Sequence, residues 1–238
     1  MTNTVYNSVL IEEKQYKFQQ SSIDEFFGEG FSSQQVNDKT FLNTFKIKAG
    51  LNFKSDKLGD VTAGLIFRDD KYSLQNFEIE DYVDPNRSIN SSTVYLSAGY
   101  SKKIKQTQFN FSSSNYLFGD SESSSIKSTI ELDFKKKNSL KIALSLLNST
   151  PDYNQLLFSS NYVNYNWDNE FQNIKTKALS LNLKLDKIIN LDVDYTNIAN
   201  HIQFEQIETG STDNGFIYSI KPCLLYTSPS PRDRTRSR

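Results

Sequence analysis

The chain has 238 residues, of which 37% are hydrophobic, 13% aromatic and 23% charged, and its formal net charge is −1. No stretch approaches the roughly 18 to 20 continuous apolar residues of a membrane-spanning helix, which excludes a helical membrane protein. The near-zero net charge, without any basic patch, argues against a nucleic-acid-binding protein. The 17 Phe and 13 Tyr, against 9 Gly and 5 Pro, favour strands and turns, so the composition predicts an all-β protein.

The first forty residues are the least regular part of the sequence. No basic segment and no apolar segment follow Met1, so a secretory signal peptide is not recognisable. Residues 5–18 are compatible with one strand, and residues 21–37 read as a loop that contains Phe26, Phe27, Gly28 and Gly30. Because the strands that follow predict an exported protein, we expect the natural N-terminus to lie upstream of this chain.

From Phe41 onward, apolar and polar residues alternate with a period of two. Successive side chains of a strand point to opposite faces, so this period predicts strands with one apolar and one polar face. The first such segment is 41–54, and the others are centred on Leu65, Leu96, Phe109, Ile130, Leu144, Leu181 and Val193. In the segment after Thr107, Ser113 and Asn115 fall on the apolar face, which predicts a bulge or a register change there.

The connections between these segments alternate in length. Residues 55–59, 103–105, 136–138 and 186–189 are short polar turns, whereas 69–92, 119–125 and 148–174 are longer links. In an up-and-down meander, all short turns then gather at one end and all long loops at the other. Bacterial outer-membrane barrels show this asymmetry, with short periplasmic turns and longer extracellular loops. The sequence therefore predicts an antiparallel meander that forms part of a transmembrane outer-membrane β-barrel.

Strand length and aromatic placement favour the same architecture. Several segments run to about ten residues, as a tilted membrane-spanning strand requires. Aromatic residues lie on the apolar face near the short-turn ends, which suits a girdle at the membrane interface. These residues are Phe53, Tyr100, Phe109 and Phe134. The alternative for each of them is an ordinary core aromatic of a soluble sheet.

The two faces predict two environments. The apolar face is expected to contact lipid, through Phe45, Ile47, Leu65, Leu96, Ile130, Leu132, Ile142, Leu144, Leu181 and Leu183. The polar face is expected to line the lumen, through Lys46, Lys48, Glu131, Asp133, Lys184, Asp192 and Asp194. These charges either line an open aqueous path or only hydrate a closed lumen. Both signs occur among them, so the sequence does not indicate anion or cation preference.

The residues offer little for catalysis or cofactor binding. His201 is the single histidine, it lies just beyond a predicted strand, and no nucleophile motif accompanies it. We therefore expect no enzyme activity, no metal site and no cofactor. One long predicted loop concentrates aromatic residues, which predicts packing of the loop on itself or across the barrel mouth in preference to ligand stacking. These residues are Tyr153, Tyr162, Tyr165 and Trp167.

The last sixteen residues, CLLYTSPSPRDRTRSR, differ in character from the rest. The segment from Cys223 to Asp233 resembles a translated transposase-type sequencing adapter, residue for residue. We therefore expect two parts: 1–222, a partial outer-membrane barrel domain, and 223–238, a disordered non-native tail. Because Cys223 is the single cysteine, the natural part has no disulfide chemistry. The natural C-terminus is then not the one seen here.

Three stretches carry a family resemblance. Residues 37–40 lead into the first clear strand, residues 161–167 read NYVNYNW, and residues 193–198 read VDYTNI. Together and in this order they resemble the porin family of the Bacteroidetes over most of the chain, from about Val5 to about Ile220. The resemblance implies a secreted protein of the cell outer membrane whose larger barrel has further strands outside this chain.

The function expected from these features is passive diffusion of small solutes across the outer membrane. Its partners would be outer-membrane lipid and small solutes, with no nucleic acid, and the sequence leaves the oligomeric state open. Two alternatives stay open: a plugged receptor or transporter barrel, and a soluble β-sheet protein such as an adhesin or lipid binder. An N-terminal plug domain would favour the first, and short turns scattered over both ends would favour the second.

Overall fold

A computed structural model describes residues 2–31, 36–75, 88–134, 138–186, 189–206 and 216–223. Ten long strands form one sheet, and a short helix and two short strands lie in the link between the seventh and the eighth of them. The sheet strands are β1 (Thr2–Gln20), β2 (Val36–Ser55), β3 (Gly59–Gln75), β4 (Ser88–Ile104), β5 (Thr107–Gly119), β6 (Ser124–Asp133), β7 (Asn138–Ser149), β10 (Ile174–Leu185), β11 (Ile189–Gln206) and β12 (Phe216–Cys223). The link holds α1 (Tyr153–Leu156), β8 (Leu157–Phe158) and β9 (Trp167–Asp168), and a 3₁₀ turn, Glu25–Phe27, follows β1.

The sheet is an up-and-down antiparallel meander, as predicted. The strand order is β1-β2-β3-β4-β5-β6-β7-β10-β11-β12, so every long strand pairs with its neighbours in the chain. Strands β1 and β7, which are six positions apart, both line one cavity through Lys14 and Ser149. In a flat sheet these strands would lie roughly 30 Å apart. The sheet is therefore curved, and this open, curved meander is part of a barrel.

Register divides the side chains between two sides of the sheet. The side of β3 that carries Asp70 and Tyr72 receives the link between β7 and β10, and we call it the inner side. Residues directly opposite each other on paired strands share a side. On the outer side, Leu65 lies opposite both Ala49 and Leu96, and Ile142 lies opposite both Ile130 and Leu181. The period of two thus holds across the sheet.

Strands β1 to β4 are much longer than the predicted ten residues, at 19, 20, 17 and 17 residues. Their turn halves, which we call the band, have an apolar outer side, with Val61, Leu65 and Phe67 all exposed. Their loop halves, residues 12–20, 36–44, 68–75 and 88–93, form what we call the extension. The outer side of the extension is polar, for instance at Lys71 and Gln75. The band takes 9 to 11 residues of each strand, which matches the length of a membrane-crossing strand.

Several predicted boundaries were wrong. Strand β2 begins at Val36 and not at Phe41, and the predicted link 69–92 is largely strand, since β3 and β4 occupy it up to Gln75 and from Ser88. Residues 76–87 lie outside the described ranges. The connection 120–123 has no more residues than 134–137, so the lengths of connections do not alternate strictly.

The predicted irregularity after Thr107 is confirmed. The register between β4 and β5 shifts at Val94/Tyr95, where Val94 pairs with Phe118 and Tyr95 pairs with Tyr116. The residue between them, Leu117, is the extra residue of a bulge. Without the bulge, Leu117 would lie opposite Val94 on the outer side. Phe118 takes that position instead.

The C-terminal end of the described chain adds a strand that the sequence did not predict. Strand β12 pairs with β11 from Phe216 onward and ends at Cys223, the first residue of the predicted tail. Residues 224–238, the rest of that predicted tail, lie outside the described ranges. Within the described ranges no ladder joins β12 to β1. No helix in those ranges is long and apolar enough to cross a membrane.

Candidate functional site

The candidate site is a cavity of about 710 Å³ between the inner side of β1 to β7 and the inward-folded link, residues 150–173. It lies where the band meets the extension. Lys46 and Arg68 line its floor, and Tyr153 and Phe158 of the link line its roof. Hydroxyl groups of β4, β5 and the 120–123 connection supply much of its wall. The cavity is therefore polar on the sheet side and partly aromatic on the link side.

Asp70 is the centre of the polar contacts in this cavity. Its carboxylate accepts hydrogen bonds from the Thr44 hydroxyl at 2.7 Å and from the Tyr153 hydroxyl at 2.8 Å. Arg68 Nε lies 2.8 Å from Asp70 Oδ2, but its N–H does not point along that line, so the contact is an ion pair and not a well-aligned hydrogen bond. The Asp70 side chain is only 5% exposed, whereas that of Arg68 is 42% exposed. A buried carboxylate is thus balanced by one cation and two hydroxyl donors.

Tyr153 connects the link to the sheet. Its ring stacks on Tyr72, with centroids 5.7 Å apart and planes 19° apart. Burial, with the neighbouring Asp70 carboxylate as the next contribution, raises the pKa of the Tyr153 phenol above its usual value of 10. The phenol therefore stays protonated at neutral pH and acts as a hydrogen-bond donor to Asp70.

A small apolar core fixes the next residues of the link. Leu157 is fully buried against Tyr72 and Leu74, with Leu42 and Ile89 packed around them. The Tyr72 hydroxyl donates to the carbonyl oxygen of Leu157 at 3.1 Å. These residues lie on the inner side of the extension, so that side is apolar where the link covers it.

The far half of the link is tied to the start of β2 and to the segment after β1. Asp38, which is buried, accepts hydrogen bonds from the Ser160 hydroxyl and from the Asn161 amide. The Tyr162 hydroxyl donates to the Gln20 side chain and accepts from the Asp24 amide. Phe27 packs on Tyr162, with ring centroids 5.4 Å apart. The link is thus held at several separate points along its length.

The predicted packing of the loop aromatics is confirmed. Tyr162 is 1% exposed, and Trp167 stacks on Phe158 with centroids 4.8 Å apart. The Trp167 indole N–H also donates to the carbonyl oxygen of Asn154. Tyr165 lies within 6.1 Å of both Phe27 and Tyr162, measured between ring centroids. These side chains hold the link together and against the sheet.

The residues predicted to contact lipid all lie on the outer side of the sheet. They are Phe45, Ile47, Leu65, Leu96, Ile130, Leu132, Ile142, Leu144, Leu181 and Leu183. Three of the four predicted girdle aromatics, Phe53, Tyr100 and Phe109, occupy the turn end of the same side, where the rings of Tyr100 and Phe109 are 5.8 Å apart. Phe134 lies just beyond the end of β6. Their contact with lipid stays a prediction.

The residues predicted to line the lumen all lie on the inner side, but only Lys46 lines the cavity. Lys48 is exposed in the next inner position of β2, and Glu131 lies opposite Lys141. Lys184, Asp192 and Asp194 are exposed on β10 and β11, where the Asn182 and Asn190 side chains donate to Asp192. Asp133 is exposed at the turn end of β6.

Sequence reasoning missed Asp70 and Tyr72, because residues from 69 onward were read as a link, and it missed Arg68, the last residue before that link. A signal was present: Arg68, Asp70 and Tyr72 follow Ile66 at intervals of two residues. Continuing the strand pattern would therefore have placed all three on the same face as Ile66, the face predicted to line the lumen. The histidine prediction also needs correction, since His201 lies within β11 and not beyond a strand.

The curved meander with an apolar outer side and a polar inner side defines a partial β-barrel of the outer-membrane type. A family model described as "Putative porin" matches residues 1–222, nearly the whole chain. The chain belongs to this porin family. No curated protein and no solved structure matches it. Membership of a porin family points to a channel-forming role and not to catalysis.

Proposed function

We propose that this chain contributes part of an outer-membrane porin through which small polar solutes diffuse passively. The observation that carries the proposal is the combination of family membership with the two-sided band. A sheet with an apolar outer side and a charged inner side separates lipid from water, which is what a diffusion barrel must do.

The outer side of the sheet supports a location in the membrane. Large apolar side chains are exposed there on strands β1, β3, β4, β6 and β10, through Val9, Leu65, Leu96, Ile130 and Leu179. Exposed apolar surface of this extent is unfavourable in water and is typical of an interaction surface. Outer-membrane lipid is the partner that accounts for it, because exposed apolar residues occur on each of the sheet strands β1 to β7, β10 and β11 and do not form a local patch.

The inward-folded link supports a narrowed passage. It covers the inner side of the extension but leaves the cavity beside Lys46 and Arg68 unfilled. Polar groups line this space, so water and small solutes can occupy it at low cost. A link that is fixed at separate points, to Asp70, Asp38 and Gln20, suits a constant constriction.

The proposal is tested with the full-length protein refolded in detergent and then incorporated into planar bilayers. We expect a heat-sensitive mobility shift on SDS gels and steady ohmic single-channel conductance. A mobility shift without conductance would favour a plugged or receptor barrel over a diffusion pore. A soluble product without any shift would contradict the membrane assignment.

A further inference from the structure

The cavity floor carries like charges side by side. Lys46 lies directly opposite Arg68 on the paired strands β2 and β3, and both line the cavity. Like charges in directly opposed positions of a sheet repel each other. A counter-charge or a bound anion near such a pair lowers this cost. The acidic residues around the cavity therefore decide what this floor attracts.

The acids of the described lining compensate only part of this charge. Asp70 is ion-paired with Arg68 and also accepts from Thr44 and Tyr153. The other acid of the lining, Asp152, belongs to the link and is exposed. Lys46 forms no ion pair within the described ranges, and Lys48 adds a further cation two positions along the same side. The floor beside Lys46 is therefore positive.

The third cation of the cavity has a partner of its own. Lys14 Nζ lies 3.2 Å from a carboxylate oxygen of Glu12 on the same strand. Both side chains are nearly half exposed, so solvent screens this pair and it adds little to the field at the cavity floor. The positive field therefore comes mainly from Lys46 and the part of Arg68 that Asp70 does not balance.

The wall that adjoins this floor supplies neutral hydrogen-bond donors. It carries hydroxyl groups from Ser91, Thr93 and Ser114, and a group of three hydroxyls in which Ser121 is hydrogen-bonded to Ser123 and Thr150, so that one proton of the three stays free to donate outward. Hydroxyls donate to carboxylate, phosphate or chloride without adding a repelling charge. A positive floor next to a hydroxyl wall is suited to an anion that sheds part of its hydration shell.

We infer that this cavity makes the pore anion-selective and favours small solutes that carry carboxylate or phosphate groups. The inference rests on the proposed porin function and adds the substrate class. Lys46 is the binding residue that meets the passing anion. Asp70 is a positioning residue, because with Thr44 and Tyr153 it fixes the Arg68 side chain at the edge of the path.

The test is the reversal potential of the full-length protein in neutral phosphatidylcholine bilayers under a KCl gradient. The wild-type protein should show a chloride-to-potassium permeability ratio above one. Lys46→Gln should lower this ratio by about tenfold, because one unit charge some 6 Å away in water changes the chloride and the potassium permeability by about threefold each, in opposite directions. Lys46→Arg, which keeps the charge, should retain the wild-type ratio.

Lys71→Gln is the matched control, since it removes the same charge from β3 on the outer side of the sheet. It should leave the reversal potential unchanged. A wild-type ratio at or below one, or equal shifts in Lys46→Gln and Lys71→Gln, would overturn the inference and leave the porin function standing. Complete absence of conductance in the wild-type protein would contradict the porin function itself, and the inference with it.

A measurement on the wild-type protein covers the case in which Lys46→Gln does not fold. Pyrophosphate added to one side of the bilayer should reduce the KCl current at concentrations where the same ionic strength of NaCl does not. An unchanged current would count against an anion site in this cavity.

Discussion

The band and the extension are halves of the same four strands, yet their patterns are opposite. In the band of β3 the outer side is apolar at Leu65 and Phe67, and the inner side carries Thr62 and Gly64. In the extension the outer side is polar at Lys71, and the inner side buries Tyr72 and Leu74. The apolar residues move from the outer side in the band to the inner side in the extension. We propose that lipid surrounds the outer side of the band, whereas the extension has water on its outer side and the link on its inner side.

The strongest test of this comparison is one charge placed at equivalent positions of the two halves. Leu65→Arg in the band should lower the free energy of unfolding in lipid vesicles by about 2 to 4 kcal/mol, because arginine is costly at mid-bilayer depth. Ser73→Arg, on the outer side of the same strand in the extension, should change it by less than about 0.5 kcal/mol. Denaturant titration of the refolded protein measures both. Equal costs would remove the distinction between band and extension.

The inner side of the band is tested at a glycine pair. Gly50 lies opposite Gly64, and a Cβ on Gly64 would lie 2.5 Å from the carbonyl oxygen of Ala49 and 2.6 Å from the Tyr6 hydroxyl. We expect Gly64→Val to cost about 2 kcal/mol of unfolding free energy through overpacking. The control is Ala63→Val, which adds methyl groups on the exposed outer side and should be close to neutral. A neutral Gly64→Val would mean that the inner side is loosely packed here.

The contact between link and extension is tested by removing one hydroxyl. Tyr153→Phe keeps the ring on Tyr72 but removes a hydrogen bond to a buried carboxylate, which should cost about 1.5 kcal/mol of unfolding free energy. The pKa of this phenol is raised in the folded state, so its contribution is complete below about pH 10 and is lost as the pH rises further. The alkaline loss of stability should therefore be smaller in Tyr153→Phe.

Tyr16→Phe is the control for this prediction. Tyr16 lines the same cavity, but its hydroxyl forms no hydrogen bond within the described ranges and its side chain is exposed. Its removal should change the unfolding free energy by less than about 0.5 kcal/mol. If both variants were equally stable, the Tyr153 hydroxyl would not hold the link to the sheet.

The smallest effect is expected for Lys48→Leu. Lys48 is exposed on the inner side of the band, where a leucine would face water and not lipid. The unfolding free energy should change by less than about 0.5 kcal/mol, since exposed substitutions away from packed contacts are mild. Loss of membrane insertion in Lys48→Leu, together with normal folding of Leu65→Arg, would show that the two sides were assigned in reverse.

The sequence predicted the band because alternation there follows a simple rule. From Phe45 to Phe53 every second residue is apolar, and the pairing of β2 with β3, and of β3 with β4, keeps that set on one side. The extension obeys the same period of two with the polarity reversed. In a single sequence, this reversal looks the same as the end of a strand with an apolar outer side. Residues 69–75 were therefore read as a link.

The candidate site was harder to predict for a different reason. The sequence predicted Lys46 as a lumen-lining residue from its strand position alone. Arg68 and Asp70 obtain their roles from Tyr153, more than 80 residues later in the chain, and from the inward direction of the link. Nothing local encodes that direction. The weak strand after Thr107 was predicted correctly, because two polar residues on an apolar face already disturb the local pattern.

The anchoring of the inward link has a consequence for how the protein folds. Each pair of neighbouring strands joins residues close in sequence, and such hairpins can form one after another. The contacts of the link are of another kind: Tyr162 meets Gln20 across 142 residues, and Ser160 meets Asp38 across 122. Contacts between such distant residues form slowly, because a long loop must first be closed. We therefore expect the cavity to be completed in the last step of folding, after β1 to β7 have paired.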